Sequence, residues 1–160
     1  MEYRLELLRT EIEKIILKQE PKYIPTYLSH MYGVTQFCTL LALKRNLNAE
    51  LAATCGVLHD IFYMSGNSSE YHAEKGAKLA KAILEAMELY RADEIQTVTT
   101  AIAHHSDKAH VHGPYDELLK DADVLDHCLY NTSFPIAPRE QARFGKLQKE
   151  LGLYGAAERG

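Results

Sequence analysis

The sequence has few features of a secreted, membrane-spanning or nucleic-acid-binding protein. It contains three cysteines, Cys38, Cys55 and Cys128, an odd number without a CxxC pair, which indicates reduced thiols rather than a disulfide framework. The formal net charge of -4 provides no broad attraction for a nucleic-acid backbone. No apolar run approaches the roughly 18 residues that span a bilayer. We therefore expect a soluble, cytoplasmic protein with neither a nucleic-acid nor a membrane partner.

The chain also lacks the alternation of apolar and polar residues that is typical of strands. Apolar residues recur instead at three- and four-residue spacing, which predicts amphipathic helices. With 160 residues and 46% hydrophobic content, the chain has enough material for one core. We predict an all-α, single-domain helical bundle over residues 1–160, with about six to seven helices. The predicted helices span residues 3–18, 26–44, 49–61, 70–90, 92–105, 115–130 and 139–151.

One apolar stretch, residues 51–60, ends abruptly in His59 and Asp60. Two metal-capable side chains at the inner end of a buried-looking helix indicate a metal site. Neighbours on a helix point about 100° apart, so both reach one ion only if it lies between their directions. Mixed imidazole and carboxylate ligands suit iron, manganese, cobalt, nickel or zinc better than calcium, and the absence of cysteine pairs argues against a structural zinc site.

Further metal-capable residues fall at or near the ends of other predicted helices. His30 lies near the start of the second helix, His72 near the start of the fourth, and His104 and His105 close the fifth. Helix ends from antiparallel neighbours can gather on one side of a bundle, where facing side chains build a metal site. Asp121 and Asp123 lie within the sixth helix and could supply carboxylates to that site.

Three segments in order resemble the HD-domain superfamily of metal-dependent phosphohydrolases, whose pattern is H…HD…D on a helical bundle. They are SHMYGV at residues 29–34, GVLHDI at residues 56–61 and KDADVLD at residues 120–126. The resemblance covers roughly residues 26–130, the core of the predicted domain. It implies that His30, His59, Asp60 and Asp123 hold a metal ion.

Two other segments are similar to members of the superfamily that bind two ions. They are YHAEKGA at residues 71–77 and AIAHH at residues 101–105. The resemblance implies that His72, His104 and His105 hold the second ion, with Asp60 between the two. No GYP motif follows His105, so the chain departs from the HD-GYP branch that hydrolyses cyclic dinucleotides.

The function expected from this resemblance is hydrolysis of a phosphate ester of a nucleotide or another small phosphorylated metabolite by metal-activated water. One or two divalent transition-metal ions per chain are expected, with Asp60 and Asp121 as catalytic carboxylates. Lys75 and Lys108 are candidates to bind the phosphate, although a lysine on a solvated helix face is the ordinary alternative. Two other functions stay open: a di-iron oxygenase of the same superfamily, and a non-catalytic module that senses nucleotides. The oligomeric state is also open.

Overall fold

A computed structural model of the chain describes residues 3–153, which form eight α-helices and no strand. The helices are α1 (Arg4–Ile16), α2 (Ile24–Lys44), α3 (Ala49–Leu58), α4 (Ile61–Met64), α5 (His72–Met87), α6 (Ala92–His104), α7 (Pro114–Leu129) and α8 (Pro138–Leu151). The prediction of an all-α bundle is confirmed, with one helix more than expected. The assignment of residues 1–160 to one domain stays a prediction, because residues 1–2 and 154–160 lie outside the described part.

Helix α3 lies at the centre of the bundle, in contact with α1, α2, α6 and α7. Asn48 caps its N-terminus by accepting a 3.0 Å hydrogen bond from the Leu51 N–H, and residues 51–58 are all buried. Gly56 lets α2 approach closely, since a Cβ there would lie 2.7 Å from the Thr35 Cα. This close approach places the His30 end of α2 against the His59 end of α3.

The third predicted helix, over residues 49–61, is interrupted in the structure. Helix α3 ends at Leu58, Asp60 has the non-helical angles φ −111° and ψ 18°, and the short helix α4 begins at Ile61. The apolar pattern continues across this break because Ile61 and Met64 are also buried. The sequence therefore predicted one helix where the chain bends at the two metal-capable residues.

The other helices complete a core of aliphatic side chains. Members from five different helices include Ile12, Met31, Leu58, Ile102 and Leu125, none of which is exposed. Helix α8 covers α7 with the buried side chains of Phe144 and Leu147. Among the helices of the described chain, none combines the length and the apolar character needed to cross a membrane.

Candidate metal centre

Four of the predicted ligands converge at the end of the bundle where α2, α3 and α7 meet. The Nε2 atom of His30 lies 3.1 Å from His59 Nε2, 3.5 Å from Asp60 Oδ2 and 3.4 Å from Asp123 Oδ1. The Asp60 Oδ2 atom is also 3.4 Å from His59 Nε2. We call His30, His59, Asp60 and Asp123 the first ligand group. The first three could hold one ion together, and Asp123 Oδ1 lies beside them, 3.9 Å from His59 Nε2.

A second ligand group, formed by Asp60, His72 and His105, lies on the other side of Asp60. The Asp60 Oδ1 atom is 3.2 Å from His105 Nε2 and 3.4 Å from His72 Nε2, and the two imidazole nitrogens are 3.3 Å apart. The two oxygens of Asp60 thus face different groups of ligands. This is the arrangement expected of a carboxylate that bridges two ions.

The Asp60 carboxylate supports the assignment of a cation site. Its Oδ1 atom is buried and has no hydrogen-bond partner, a costly state for a carboxylate oxygen unless a cation faces it. Burial by itself would raise the pKa of Asp60, but the surrounding imidazole groups of His59, His105 and His30 hold this pKa well below its usual value. The carboxylate is therefore ionised, as a metal ligand must be.

The histidine rings are oriented by hydrogen bonds at their other nitrogen. In three of them Nδ1–H donates to the carbonyl oxygen three residues earlier; the pairs are His59–Gly56 (2.8 Å), His72–Ser69 (2.9 Å) and His105–Ile102 (2.7 Å). Since Nδ1 carries the proton in these pairs, Nε2 keeps its lone pair for a metal. Such partners are typical of metal-ligating histidines, and they fix the direction of each ring.

His30 is oriented by a carboxylate that the sequence analysis did not single out. Asp126 Oδ2 lies 2.7 Å from His30 Nδ1, three positions after Asp123 and on the same side of α7. Gly33 makes room for this contact, because a Cβ there would lie 1.8 Å from Asp126 Oδ1. In the sequence, the three-residue spacing between Asp123 and Asp126 could have indicated the position of Asp126, because it places both residues on one side of a helix.

His127 is a further residue beside the centre that was absent from the predicted ligands. Its Nε2 lies 3.4 Å from Asp123 Oδ1, and its ring stacks on His30 with the centroids 5.2 Å apart. Its Nδ1 is 2.8 Å from the buried Glu140 carboxylate, which raises the pKa of His127. His30, Asp123 and His127 could also hold a cation together. In the sequence, the position of His127 one helical turn after Asp123 indicated that the two residues share a face of α7.

The structure does not bring His104, one of the predicted ligands, into either ligand group. Its Nδ1 lies 2.7 Å from Asp116 Oδ1, and its ring stacks on His112 with the centroids 3.9 Å apart. Consecutive residues at a helix end point about 100° apart, so His104 and His105 face different neighbours. The paired histidines therefore contribute one side chain to the centre, that of His105.

Asp121, which was predicted as a catalytic carboxylate, also lies away from the two groups. Its two oxygens form ion pairs with Arg45 at 2.7 Å and Arg143 at 2.8 Å. Because Asp121 and Asp123 are two positions apart on α7, they point about 200° apart. Through these ion pairs Asp121 joins α7 to α8 and to the C-terminal end of α2.

The two lysines proposed for phosphate binding have different positions. Lys108 Nζ lies 2.6 Å from Asp123 Oδ2 and donates to the His105 carbonyl oxygen at 2.7 Å, which places it beside both ligand groups. Lys75 is exposed, and its Nζ lies 5.4 Å from the centre of the Phe62 ring. The structure thus supports a place at the centre for Lys108 and gives none to Lys75.

Two pockets open onto the centre, and Asp60 and His127 line both. The larger has a volume of about 480 Å³; we call it the aromatic pocket because Tyr63, Tyr130 and Phe134 line it. The smaller has a volume of about 230 Å³; we call it the cationic pocket because Lys108 and Arg139 line it.

Comparison with known proteins gives a family and a set of relatives. The sequence profile of the HD domain matches residues 27–128. Ribonuclease Y from one strain of Thermus thermophilus is 32% identical over 138 residues, which is 86% of this chain and 21% of the relative. Ribonuclease Y from Chlorobium phaeovibrioides is 29% identical over 109 residues, which is 68% of this chain and 19% of the relative. The chain thus spans about a fifth of the length of these relatives, and no solved structure matches it.

Proposed function

Because the chain belongs to the HD domain family, we propose that it is a metal-dependent phosphohydrolase that acts on a phosphate ester of a nucleotide or another small metabolite. The observation that carries this proposal is the position of Asp60. Its Oδ2 faces His30 and His59, whereas its Oδ1 faces His72 and His105. One carboxylate shared by two ligand groups fits a pair of ions, and a pair of ions suits hydrolysis of a phosphate ester.

The residues that would hold the ions are those of the two ligand groups, with Asp60 in both. Imidazole and carboxylate ligands fit a divalent transition metal: iron, manganese, cobalt, nickel or zinc. Bound there, such ions supply Lewis-acid chemistry by polarising a phosphoryl oxygen and lowering the pKa of water.

The protein's own residues bind and orient the ester in this proposal. Lys108 and Arg139 present positive charge to the phosphate from the cationic pocket. His127 lines both pockets and is kept in place by Glu140, so its Nε2 is positioned to contact the ester. The burial of His59 and His105 keeps bulk water away from the inner side of the centre, which strengthens its electrostatic interactions.

A small substrate is proposed although the relatives are named Ribonuclease Y. The chain has a formal net charge of -4, whereas proteins that bind long nucleic acids usually present a basic surface. We also propose that it acts in the cytoplasm, where thiols such as the buried Cys38 and Cys55 stay reduced.

Metal content per chain tests the proposal, with two adjacent histidines as a matched pair. The protein is purified without chelator, and metals are measured by elemental analysis in the wild type, His105→Ala and His104→Ala. We expect two ions per chain in the wild type, one in His105→Ala, and two in His104→Ala, because His104 lies outside both ligand groups.

Hydrolysis is then measured as phosphate released from mononucleotides, sugar phosphates and short oligoribonucleotides, with manganese, iron or cobalt added. We expect release from a small ester in the wild type and a loss of at least a hundredfold in Asp60→Asn. Oxygen consumption without phosphate release would contradict the proposal in favour of an oxygenase. Nucleotide binding without turnover under any of these metals would contradict it in favour of a sensor.

A further inference from the structure

The two pockets that open onto the centre differ in chemical character. The aromatic pocket contains Tyr63, Tyr130 and Phe134, and among the described residues that line it there is no lysine or arginine. The cationic pocket contains Lys108 and Arg139. Its three carboxylates are Asp60 and Asp123, which belong to the ligand groups, and Glu140, which pairs with His127. Since both pockets share Asp60 and His127, one molecule seated across the centre would occupy both.

The aromatic pocket has the surface of a binding site that is open to solvent. The exposed fractions of its aromatic residues are 38% for Tyr63, 68% for Tyr130 and 56% for Phe134. Large rings grouped beside a polar centre are typical of ligand sites, and exposed aromatic groups of this kind favour a ligand with a flat face. Ser29 and Thr26 add hydroxyl groups at the same pocket, which could hydrogen-bond to the edge of a ring.

Pocket size assigns the two parts of an ester to opposite sides of the centre. Pockets that take drug-sized molecules are about 300–1,000 Å³. The aromatic pocket, at about 480 Å³, falls in this range, whereas the cationic pocket, at about 230 Å³, lies below it. The cationic pocket therefore suits a phosphate group, and the larger pocket suits the organic body.

We propose that the aromatic pocket binds the base of a nucleoside monophosphate, stacked on Tyr130 and Phe134, while the terminal phosphate lies at Lys108 and Arg139. The inference rests on the proposed phosphohydrolase function of the same site. In the reaction the oxygen of water forms a bond to phosphorus, and the bond from phosphorus to the ester oxygen breaks. A proton of the water goes to that ester oxygen, so the products are a nucleoside and inorganic phosphate.

The same division of charge disfavours an internal phosphate of a polynucleotide. Such a substrate carries further phosphates on both sides of the bond that breaks, and cations on both sides of the site would favour it. Here Lys108 and Arg139 both line the cationic pocket, and none of the described residues that line the aromatic pocket is a lysine or an arginine. A terminal monoester requires cations on one side only.

Alanine substitutions of the two exposed rings provide the test. In Tyr130→Ala and Phe134→Ala, we expect KM for a nucleoside monophosphate to rise about tenfold, because base–aromatic stacking is worth about 1–3 kcal/mol for each base. We expect KM for glycerol phosphate, which has no ring, to change less, so that the ratio of the two KM values rises. Tyr3→Ala is the matched control, since Tyr3 is 78% exposed and lines neither pocket.

Calorimetric binding of the nucleoside without its phosphate separates this inference from the function on which it rests. Binding that weakens in Tyr130→Ala, in a protein that hydrolyses no ester, would support the pocket and overturn the phosphohydrolase. Hydrolysis of nucleoside monophosphates with KM values unchanged in both variants would overturn the pocket. A higher kcat/KM for oligoribonucleotides than for mononucleotides would also overturn it.

Discussion

At the scale of the residue, Gly33 shows how a position without a side chain supports a metal ligand. Asp126 reaches His30 Nδ1 at 2.7 Å only because no Cβ stands at Gly33, where it would lie 1.8 Å from Asp126 Oδ1. The carboxylate fixes the ring of His30 and increases the basicity of its Nε2. The metal affinity of the first ligand group is therefore expected to depend on Gly33, which has no side chain to bind an ion.

Substitution of this glycine should weaken metal binding without unfolding the chain. In Gly33→Ala the Asp126 side chain must move away from His30, and loss of such a partner typically costs about 10- to 100-fold in metal affinity. Affinity is measured by calorimetry and helical content by circular dichroism. Gly145→Ala is the matched control, because nothing lies within 4 Å of a Cβ there and α8 should be unchanged or slightly stabilised. Unchanged metal affinity in Gly33→Ala would show that Asp126 does not support the site.

At the scale of the element, the loop between α6 and α7 places Lys108 at the centre. A second lysine, the buried Lys120 on α7, binds this loop. Lys120 is fully buried, and its Nζ lies 2.9 Å from the His110 carbonyl oxygen, 2.7 Å from His112 Nδ1 and 2.7 Å from Glu117 Oε1. Arg143 on α8 donates to the Lys108 carbonyl oxygen at 3.3 Å. The loop is thus anchored to α7 and α8 by charged side chains.

Removal of the buried ammonium should destabilise this region. In Lys120→Met the loop carbonyl, the His112 nitrogen and the Glu117 carboxylate lose their shared donor. Glu117 keeps its ion pair with Arg143 at 2.9 Å, so we expect a cost of about 1–3 kcal/mol, that of buried acceptors left without a donor. The measurement is the free energy of unfolding in urea, with Lys75→Met as the control because Lys75 is exposed. A cost below 1 kcal/mol for Lys120→Met would mean that the loop is held by other contacts.

The elements also show which parts of the site could be predicted from sequence. His30, His59, Asp60 and Asp123 fall within three separate sequence segments, and the resemblance of these segments to the HD-domain pattern was the ground for predicting that they come together. The sequence could not show which of His104 and His105 reaches the centre, because the direction of each ring depends on where α6 ends. Lys120 resembles an ordinary helix-surface lysine in sequence, and only the fold of the preceding loop, which contacts its Nζ through His110 and His112, shows it to be buried.

At the scale of the whole molecule, an ion pair joins the first helix to α6, which lies about 90 positions later in the chain. Arg4 on α1 donates from Nη1 and Nη2 to the two carboxylate oxygens of Glu94 on α6, at 2.8 Å and 2.9 Å. Glu94 also accepts a hydrogen bond from the Arg91 N–H and so caps α6. The hydrogen bonds from Arg4, working against burial, lower the pKa of Glu94 from 4.5 to about 2.

This shift predicts a loss of stability in acid. The folded-state pKa of Glu94 is below its unfolded value, so the pair contributes fully above about pH 4.5 and its contribution is lost as the pH falls toward about 2. Urea unfolding at pH 7 and pH 3 measures the loss. In Glu94→Gln we expect about 2–3 kcal/mol less stability at pH 7 and a smaller difference between the two pH values. Glu11→Gln is the control, since its pair with Lys14 is exposed on both sides. If Glu94→Gln and the wild type lost equal stability between pH 7 and pH 3, the acid sensitivity would have to arise from other carboxylates.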